Sequence, residues 1–300
     1  MANVFARKIN YIVTHAGRAH LDDLMSVSIA LYLILRLRQD HELSPIIKVH
    51  RRDPREEELE DPSVLVLDVG GRHEPEKANF DHHQLPRDAA PSCAASLLLQ
   101  YVLGPERFEE VYKAFAWIKN MMILDSKGPY VLAKELDVSK DALFGLNSPV
   151  QSVLLDLFEQ KTVLGPEVLT YMLTDIGKQV LLELCEFSKQ LEVGRNCVRC
   201  VSVGDVSGIV IPETVPSKVS DAIRAEQGGK AIAFLIGPDD RGDGLFLFRY
   251  DDDPRLDFTL VEGDENVTFA HKGGFIAKTV SKDMDIAMSL VERALTVAPA

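Results

Sequence analysis

The stretch "PSVLVLDVGG", residues 62–71, constrains the fold more than any other part of the chain. Val64 to Leu67 are consecutive branched apolar residues without a polar alternate, so a strand built from them has no face to offer water. Such a strand belongs inside a sheet covered on both sides. Asp68 ends the run, and Gly70 and Gly71 turn the chain away directly after it.

The flanking segments supply neighbours and covers. "NYIVTHAG" (10–17) and "IIKVHRRD" (46–53) have strand character, and "LDDLMSVSIALYLILRLRQD" (21–40) between them has the length and apolar spacing of a helix. Strands alternating with helices imply a doubly wound parallel sheet, an α/β fold. Further helices are predicted over "CAASLLLQYVL", with Ser92 as its cap, and over one continuous run from Pro105 to Asp125. Residues 149–194 are strongly helical and stop at Gly194, which reads as a linker. Beyond it, "CVRCVSV", "SGIVI", "KAIAFLIG" and "GLFLFRYD" are strand-like, and "SKVSDAIRAEQ" and "KDMDIAMSLVERAL" are helical. The expected organisation is an N-terminal α/β domain over 1–148, a helical linker over 149–195 and a smaller C-terminal α/β domain over 196–300. Two domains joined in this way would leave a cleft for a ligand.

Bulk properties exclude several roles. The net charge is −13 and no basic stripe is evident, which argues against a protein tracking long nucleic acid but not against a small anionic ligand. The longest apolar run, "VSIALYLIL" (27–35), falls short of the roughly 20 residues that cross a bilayer. The first residues contain no apolar leader-like core, so the expected compartment is the cytoplasm and no membrane partner is expected. Cys93, Cys185, Cys197 and Cys200 are too few for a disulfide framework, and the single CxxC lacks the second pair that a zinc site needs.

Acidic and imidazole side chains gather where elements end. His15 and His20 flank the loop after the first strand, and Asp22 and Asp23 open the following helix. Asp68 ends the central strand, Asp81, His82 and His83 follow in "NFDHHQLP", and Asp125 ends an apolar helical run. Taken singly, each has an ordinary structural role as a turn or helix-start residue. His41, His50 and His73 are read as surface residues. Taken together, three of these clusters would meet at the carboxyl edge of an open sheet, where ligands bind. Imidazole mixed with carboxylate suits Mn²⁺, Fe²⁺, Co²⁺ or Zn²⁺. Two such ions sharing a bridging carboxylate can activate a water for in-line attack on phosphorus.

The ordered set resembles the DHH phosphoesterase superfamily, which includes single-strand exonucleases, oligonucleotide-trimming phosphodiesterases, phosphatases and family II inorganic pyrophosphatases. "THAGRAHLDD", "LDVGGRHEPEKANFDHHQLP" and "FAHKGGFIAKT" are most similar to the Myg-type (melanocyte proliferating gene) exonuclease family. The resemblance implies a metal-binding DHH domain followed by a DHH-associated substrate domain. It implies one metal held by His15, His20 and Asp68, with His20 standing where the superfamily has its first Asp. A second metal would have Asp22, Asp68, His82 and Asp125, with Asp68 bridging. Asp81 would orient His82 or approach a metal, and His83 would contact the substrate phosphate. Asp68, His83 and Asp23 are the expected catalytic group. Mn²⁺ is the first choice of metal, with Mg²⁺, Co²⁺, Fe²⁺ or Zn²⁺ as alternatives.

The chain departs from the family pattern in three places. Asp23 replaces a Glu, "LPRDAAPSCAAS" replaces the usual continuation after DHHQ, and "LDSKGP" replaces a D-x-x-D-N-G segment. The departures spare the metal ligands and bear on substrate choice. In the second domain His271, Gly273 and Gly274, with Lys272 and Arg249, are the expected grip on the substrate's end. The expected activity is a two-metal exonuclease trimming short single-stranded RNA or DNA to nucleoside monophosphates. The alternatives are a phosphatase or phosphodiesterase for a nucleoside bisphosphate, cyclic dinucleotide or pyrophosphate, or a non-catalytic metal-binding module. A homodimer is left open.

Overall fold

The computed structural model describes residues 4–37, 47–145 and 148–296; His41 and the last residues expected in the first helix, 38–40, lie outside them. The chain divides into two compact units, Met1–Cys185 and Glu186–Ala300.

The first unit holds β1 (Tyr11–Thr14), α1 (Leu21–Leu37), β2 (Lys48–Arg51), α2 (Glu56–Glu60), β3 (Val64–Leu67), β4 (His73–Glu74) and β5 (Asn79–Phe80). Helices α3 (Ala94–Leu103), α4 (Pro105–Ala114), α5 (Ala116–Lys127), α6 (Pro129–Glu135), α7 (Lys140–Gly145) and α8 (Pro149–Glu159) follow, then β6 (Val163–Leu164) and α9 (Val168–Cys197), which crosses the unit boundary. The sheet order is β4-β5-β3-β1-β2-β6, with β5, β3, β1 and β2 parallel and both edges antiparallel. All of β3 is buried, as its unbroken apolar run requires. Val13, Val64 and Val66 pack with Leu59 of α2 on one face. Ile12, Leu65 and Leu67 alternate to the other face, and α1 packs against β1 and β3. The first unit is therefore an α/β fold with helices on both faces of a largely parallel sheet.

Register is what positions the site. Thr14 pairs with Leu67, and Leu67 pairs with Phe80. The next residue of each strand is His15, Asp68 and Asp81, so parallel pairing brings these three out in one row at the carboxyl edge. Asp68 sits there at φ 58, in the left-handed region, and its N–H donates to Phe80 O at 3.0 Å. A non-glycine residue in this conformation carries strain, which tertiary structure holds in place at functional sites.

Three local expectations are corrected. The helix expected from Pro105 to Asp125 is two helices, because Phe115 takes an extended backbone (φ −111, ψ 91) and buries its ring. The cap of α3 is Cys93 rather than Ser92, and Ser96 Oγ accepts the Cys93 N–H at 2.9 Å. Gly194 does not stop α9; a Cβ there would lie 2.2 Å from Ile223 Cδ1, so the glycine permits close packing inside the helix. The 149–194 segment also contains β6, which pairs with β2 and closes that edge of the sheet.

The second unit has β7 (Arg199–Val203), β8 (Val206–Val210), α10 (Ser217–Gln227), β9 (Ile232–Pro238), β10 (Leu245–Arg249), β11 (Val267–Ala270), β12 (Ile276–Thr279) and α11 (Met284–Arg293). Its sheet runs β11-β12-β10-β9-β8-β7, with β8 and β9 the parallel pair. Leu245, Leu247 and Ala277 face Ala287, Leu290 and Val291 of α11 in one core. This is the smaller α/β unit. No helix among the described residues is long and apolar enough to cross a membrane.

Candidate metal centre

Asp68 stands between two sets of side chains. Its Oδ2 lies 3.4 Å from His15 Nε2, and its Oδ1 lies 3.4 Å from His82 Nε2. Asp125, carried in from the last turns of α5, places Oδ2 2.7 Å from His82 Nε2. Asp22, Asp68, His82 and Asp125 each offer a donor atom within 4.8 Å of the others, and Asp68, Asp81, His82 and His83 form a second such group.

The donor atoms are buried and short of partners. His15 Nε2, Asp68 Oδ1, His82 Nε2 and Asp125 Oδ2 make no hydrogen bond, although carboxylate oxygens lie close to both imidazoles. Buried side-chain atoms left without hydrogen bonds would be costly in a site meant to stay as it is. A divalent cation among Asp22, Asp68, His82 and Asp125 supplies the missing partner, so that donor set fits one. The electrostatics point the same way. Burial, then the neighbouring Asp68 and Asp125, push the Asp22 carboxyl well above its usual range. Burial opposes charge on His82, but Asp125 and Asp68 outweigh it and lift the imidazole to about 10. Asp23 beside His15 lifts that imidazole to about 9. The pocket draws protons because it lacks positive charge.

The remaining residues position the donors. Asp22 Oδ2 and Oδ1 accept the N–H groups of Ala94 and Ala95 at 3.0 and 2.7 Å, so this α1 carboxylate also caps α3. Asp23, expected as a catalytic group, is fully buried among fixed partners. Its Oδ1 accepts from His20 N and Leu24 N, and its Oδ2 accepts from Arg51 Nη2 at 3.3 Å and faces His15 Nε2 at 3.1 Å. His15 Nδ1 lies 2.7 Å from Ala16 O, which sets Nδ1 as the donor and turns Nε2 toward the pocket. Asp81 Oδ1 accepts from His82 N and His83 N and contacts His83 Nδ1 at 2.6 Å, while Gly71 N donates to Oδ2. Asp81 therefore orients the ring of His83 rather than that of His82. Burial opposes ionisation of Asp81, and the His83 and Gly71 hydrogen bonds hold its carboxyl below the usual range. His20 is not gathered with His15 and Asp68 into a three-donor group among the described residues. It is 53% exposed, with Nδ1 3.7 Å from Asp125 Oδ1.

Arg51 was not singled out by sequence. It is buried, stacks 4.5 Å from the Phe158 ring centroid, and donates to Gly17 O, Phe158 O and Asp23. The available signal was a basic residue at an inward position of "KVHR", whose burial alternates along the strand.

In the second unit, His271 Nδ1 accepts from Gly273 N at 3.0 Å and the ring lies 4.2 Å from that of Phe275. Gly274 has φ +69, and a Cβ there would meet Asp257 Oδ1 at 2.2 Å, so only glycine fits. Lys272 is exposed. Arg249 donates to Leu256 O, Asp252 Oδ1 and Gly273 O, which makes it a brace for this turn.

With the geometry described, residues 11–93 match the profile of MYG1_exonuc, an uncharacterised protein family (UPF0160). The matched segment is similar to that family. It includes His15, His20, Asp22, Asp68 and the paired histidines, so the resemblance read from the sequence holds there; Asp125 and the second unit lie outside the matched Myg-type span. No curated protein matches the chain. Among solved structures, the chain is similar to a DHH-domain member of an s1p family of ribosomal proteins (17% identity, 99% of this chain and 88% of that chain, TM-score 0.31). It is similar to a pGpG-specific phosphodiesterase from Vibrio cholerae (14% identity, 95% and 99%, TM-score 0.32). It is also similar to RecJ with Mn²⁺ from Thermus thermophilus (13% identity, 95% and 51%, TM-score 0.28).

Proposed function

We propose that this protein is a metal-dependent phosphoester hydrolase whose first unit carries the metal centre. The observation that carries this reading is the convergence of Asp22, Asp68, His82 and Asp125, with buried donor atoms left without hydrogen bonds. His15 on the other oxygen of Asp68 supports a second ion there, with Asp68 as the bridge. Divalent ions bound at such a site neutralise phosphate charge and make water a nucleophile at neutral pH. The chain's own residues hold the geometry: Asp23 and Ala16 O orient His15, and Asp81 aims the half-exposed ring of His83 toward an incoming phosphate.

The finer reading is an exonuclease trimming short single-stranded RNA or DNA to nucleoside monophosphates with Mn²⁺. In it the 1–148 domain performs the chemistry, 149–195 links, and 196–300 holds the substrate's end through His271, Gly273 and Gly274. The second reading, hydrolysis of a small bisphosphorylated molecule, is favoured by the net charge of −13, which suits compact substrates over long ones. Incubation with Mn²⁺ and an end-labelled RNA pentamer tests the choice. Stepwise shortening is expected; intact pentamer alongside rapid phosphate release from small substrates would replace the first reading by the second. Asp68→Ala and His82→Ala are each expected to abolish turnover with the fold kept.

A further inference from the structure

The two longest departures from the Myg-type pattern meet in space. Parts of the 85–92 segment, together with residues 125–127, line one small cavity of the first unit, about 160 Å³ in volume. His82, His83 and Asp125 form its inner end, so it opens directly beside the donor cluster. Arg87, Ser92, Ser126 and Lys127 are in its other walls. Lys127 Nζ donates to Arg87 O at 2.7 Å and to Ala89 O at 2.5 Å, tying the two segments together. An ammonium has three N–H donors, so one stays available. The Arg87 side chain is exposed, and a guanidinium presents a planar fork that matches phosphate oxygens. Among the described residues Asp125 is the one carboxylate in this lining. In a chain of net charge −13, two cations at the mouth of an acidic cluster are a local reversal of sign. The volume corresponds to about five waters, enough for a phosphate group but not for a nucleoside.

We propose that this cavity binds a second phosphate of the substrate, next to the phosphate being hydrolysed, with Arg87 and Lys127 as its recognition residues. The proposal rests on the hydrolase reading and narrows its substrate class. The second phosphate is either the terminal phosphate of a short oligonucleotide or the other phosphate of a nucleoside bisphosphate. Both present the same phosphate monoester.

The test compares matched substrates on Mn²⁺-loaded protein. One pair is a dinucleotide with and without a 5′-phosphate; the other is a nucleoside 3′,5′-bisphosphate against the 5′-monophosphate. The wild type is expected to favour the member with the second phosphate by ~10- to 100-fold in kcat/KM, the range for charge-assisted hydrogen bonds. The pair that shows the preference identifies the source. Arg87→Gln is expected to bring the ratio toward one. Lys127→Met should do so as well, but it also loosens the 87–89 loop, so the exposed Arg87 carries the decision. A ratio near one in the wild type, or one unchanged in Arg87→Gln, overturns the subsite. If no substrate turns over, the hydrolase reading fails, and calorimetric binding of bisphosphate against monophosphate decides the cavity. Tighter bisphosphate binding that Arg87→Gln removes supports it, and equal binding overturns it.

Discussion

Arg51 Nη2 donates to Asp23 Oδ2 at 3.3 Å, and the same carboxylate oxygen lies 3.1 Å from His15 Nε2. A buried cation on β2 thereby sets the position of an imidazole just past β1 through an aspartate on α1. The same guanidinium fastens Gly17 O in the loop between β1 and α1. Arg51→Met would leave Asp23 with only His15 and two backbone N–H groups as partners and is expected to destabilise the first unit by about 1–3 kcal/mol. Urea denaturation measures this; a loss below about 1 kcal/mol would mean that Asp23 finds another partner. Arg51→Lys should recover part of the stability, because an ammonium keeps the charge but not the fork.

Metal binding should be strongly pH-dependent. His82 and His15, lifted to about 10 and about 9, hold protons in the metal-free protein at neutral pH, and an ion must displace them. Mn²⁺ affinity is therefore expected to rise from pH 6 toward pH 9. Calorimetry in two buffers of different ionisation enthalpy should detect proton release on binding. Affinity that is flat across this range would show that these imidazoles are not ligands.

Asp22 serves both the donor cluster and the α3 N-terminus. Asp22→Asn removes a carboxylate that burial and Asp68 and Asp125 hold above its usual range. A raised carboxyl destabilises the fold when it ionises, whereas an amide keeps only one of the two acceptors for Ala94 N and Ala95 N; the two effects oppose, so the metal-free Asn variant is expected to stay close to the wild type in Tm at pH 8. Its gain in Tm on adding Mn²⁺ should be smaller than the wild type's. Asp22→Ala also removes the acceptor for Ala94 N and Ala95 N and should cost about 1–2 kcal/mol.

Away from the centre, Glu58 accepts from Arg52, Arg55 and Tyr11, and the Arg52 guanidinium leads in holding its carboxyl far below the usual range. A depressed carboxyl stabilises the fold above its unfolded pKa, about 4.3. That contribution is lost as pH falls through the lower folded value. The wild type should lose stability more steeply than Glu58→Gln on acidification below pH 4, as read by midpoints of denaturation across pH. Parallel curves would show that Glu58 is not the acid-sensitive group.

In the second unit, Gly274→Ala places a methyl against Asp257 and forces a positive φ on alanine. A loss of about 1–3 kcal/mol is expected, with Mn²⁺ binding unchanged and substrate KM raised. An unchanged KM would remove the 271–274 turn from the substrate grip.

Much of this architecture was legible in the chain itself. The unbroken "VLVL" required a strand covered on both faces, and the order of histidines and aspartates marked the strand ends, because period and burial are local properties. The break at Phe115, the two roles of Asp22 and the brace of Arg249 were not legible. Each depends on a partner from a distant segment, and a side chain's type does not name its partner. The sequence by itself determined which side chains could bind a metal and that the elements bearing them alternate. The tertiary structure decided how they meet. Parallel register puts His15, Asp68 and Asp81 in one row, and helix packing delivers Asp22 and Asp125 to it. The physical reason is that hydrophobic burial specifies faces, whereas the distances of a metal centre follow from strand register and from buried polar groups that must find partners.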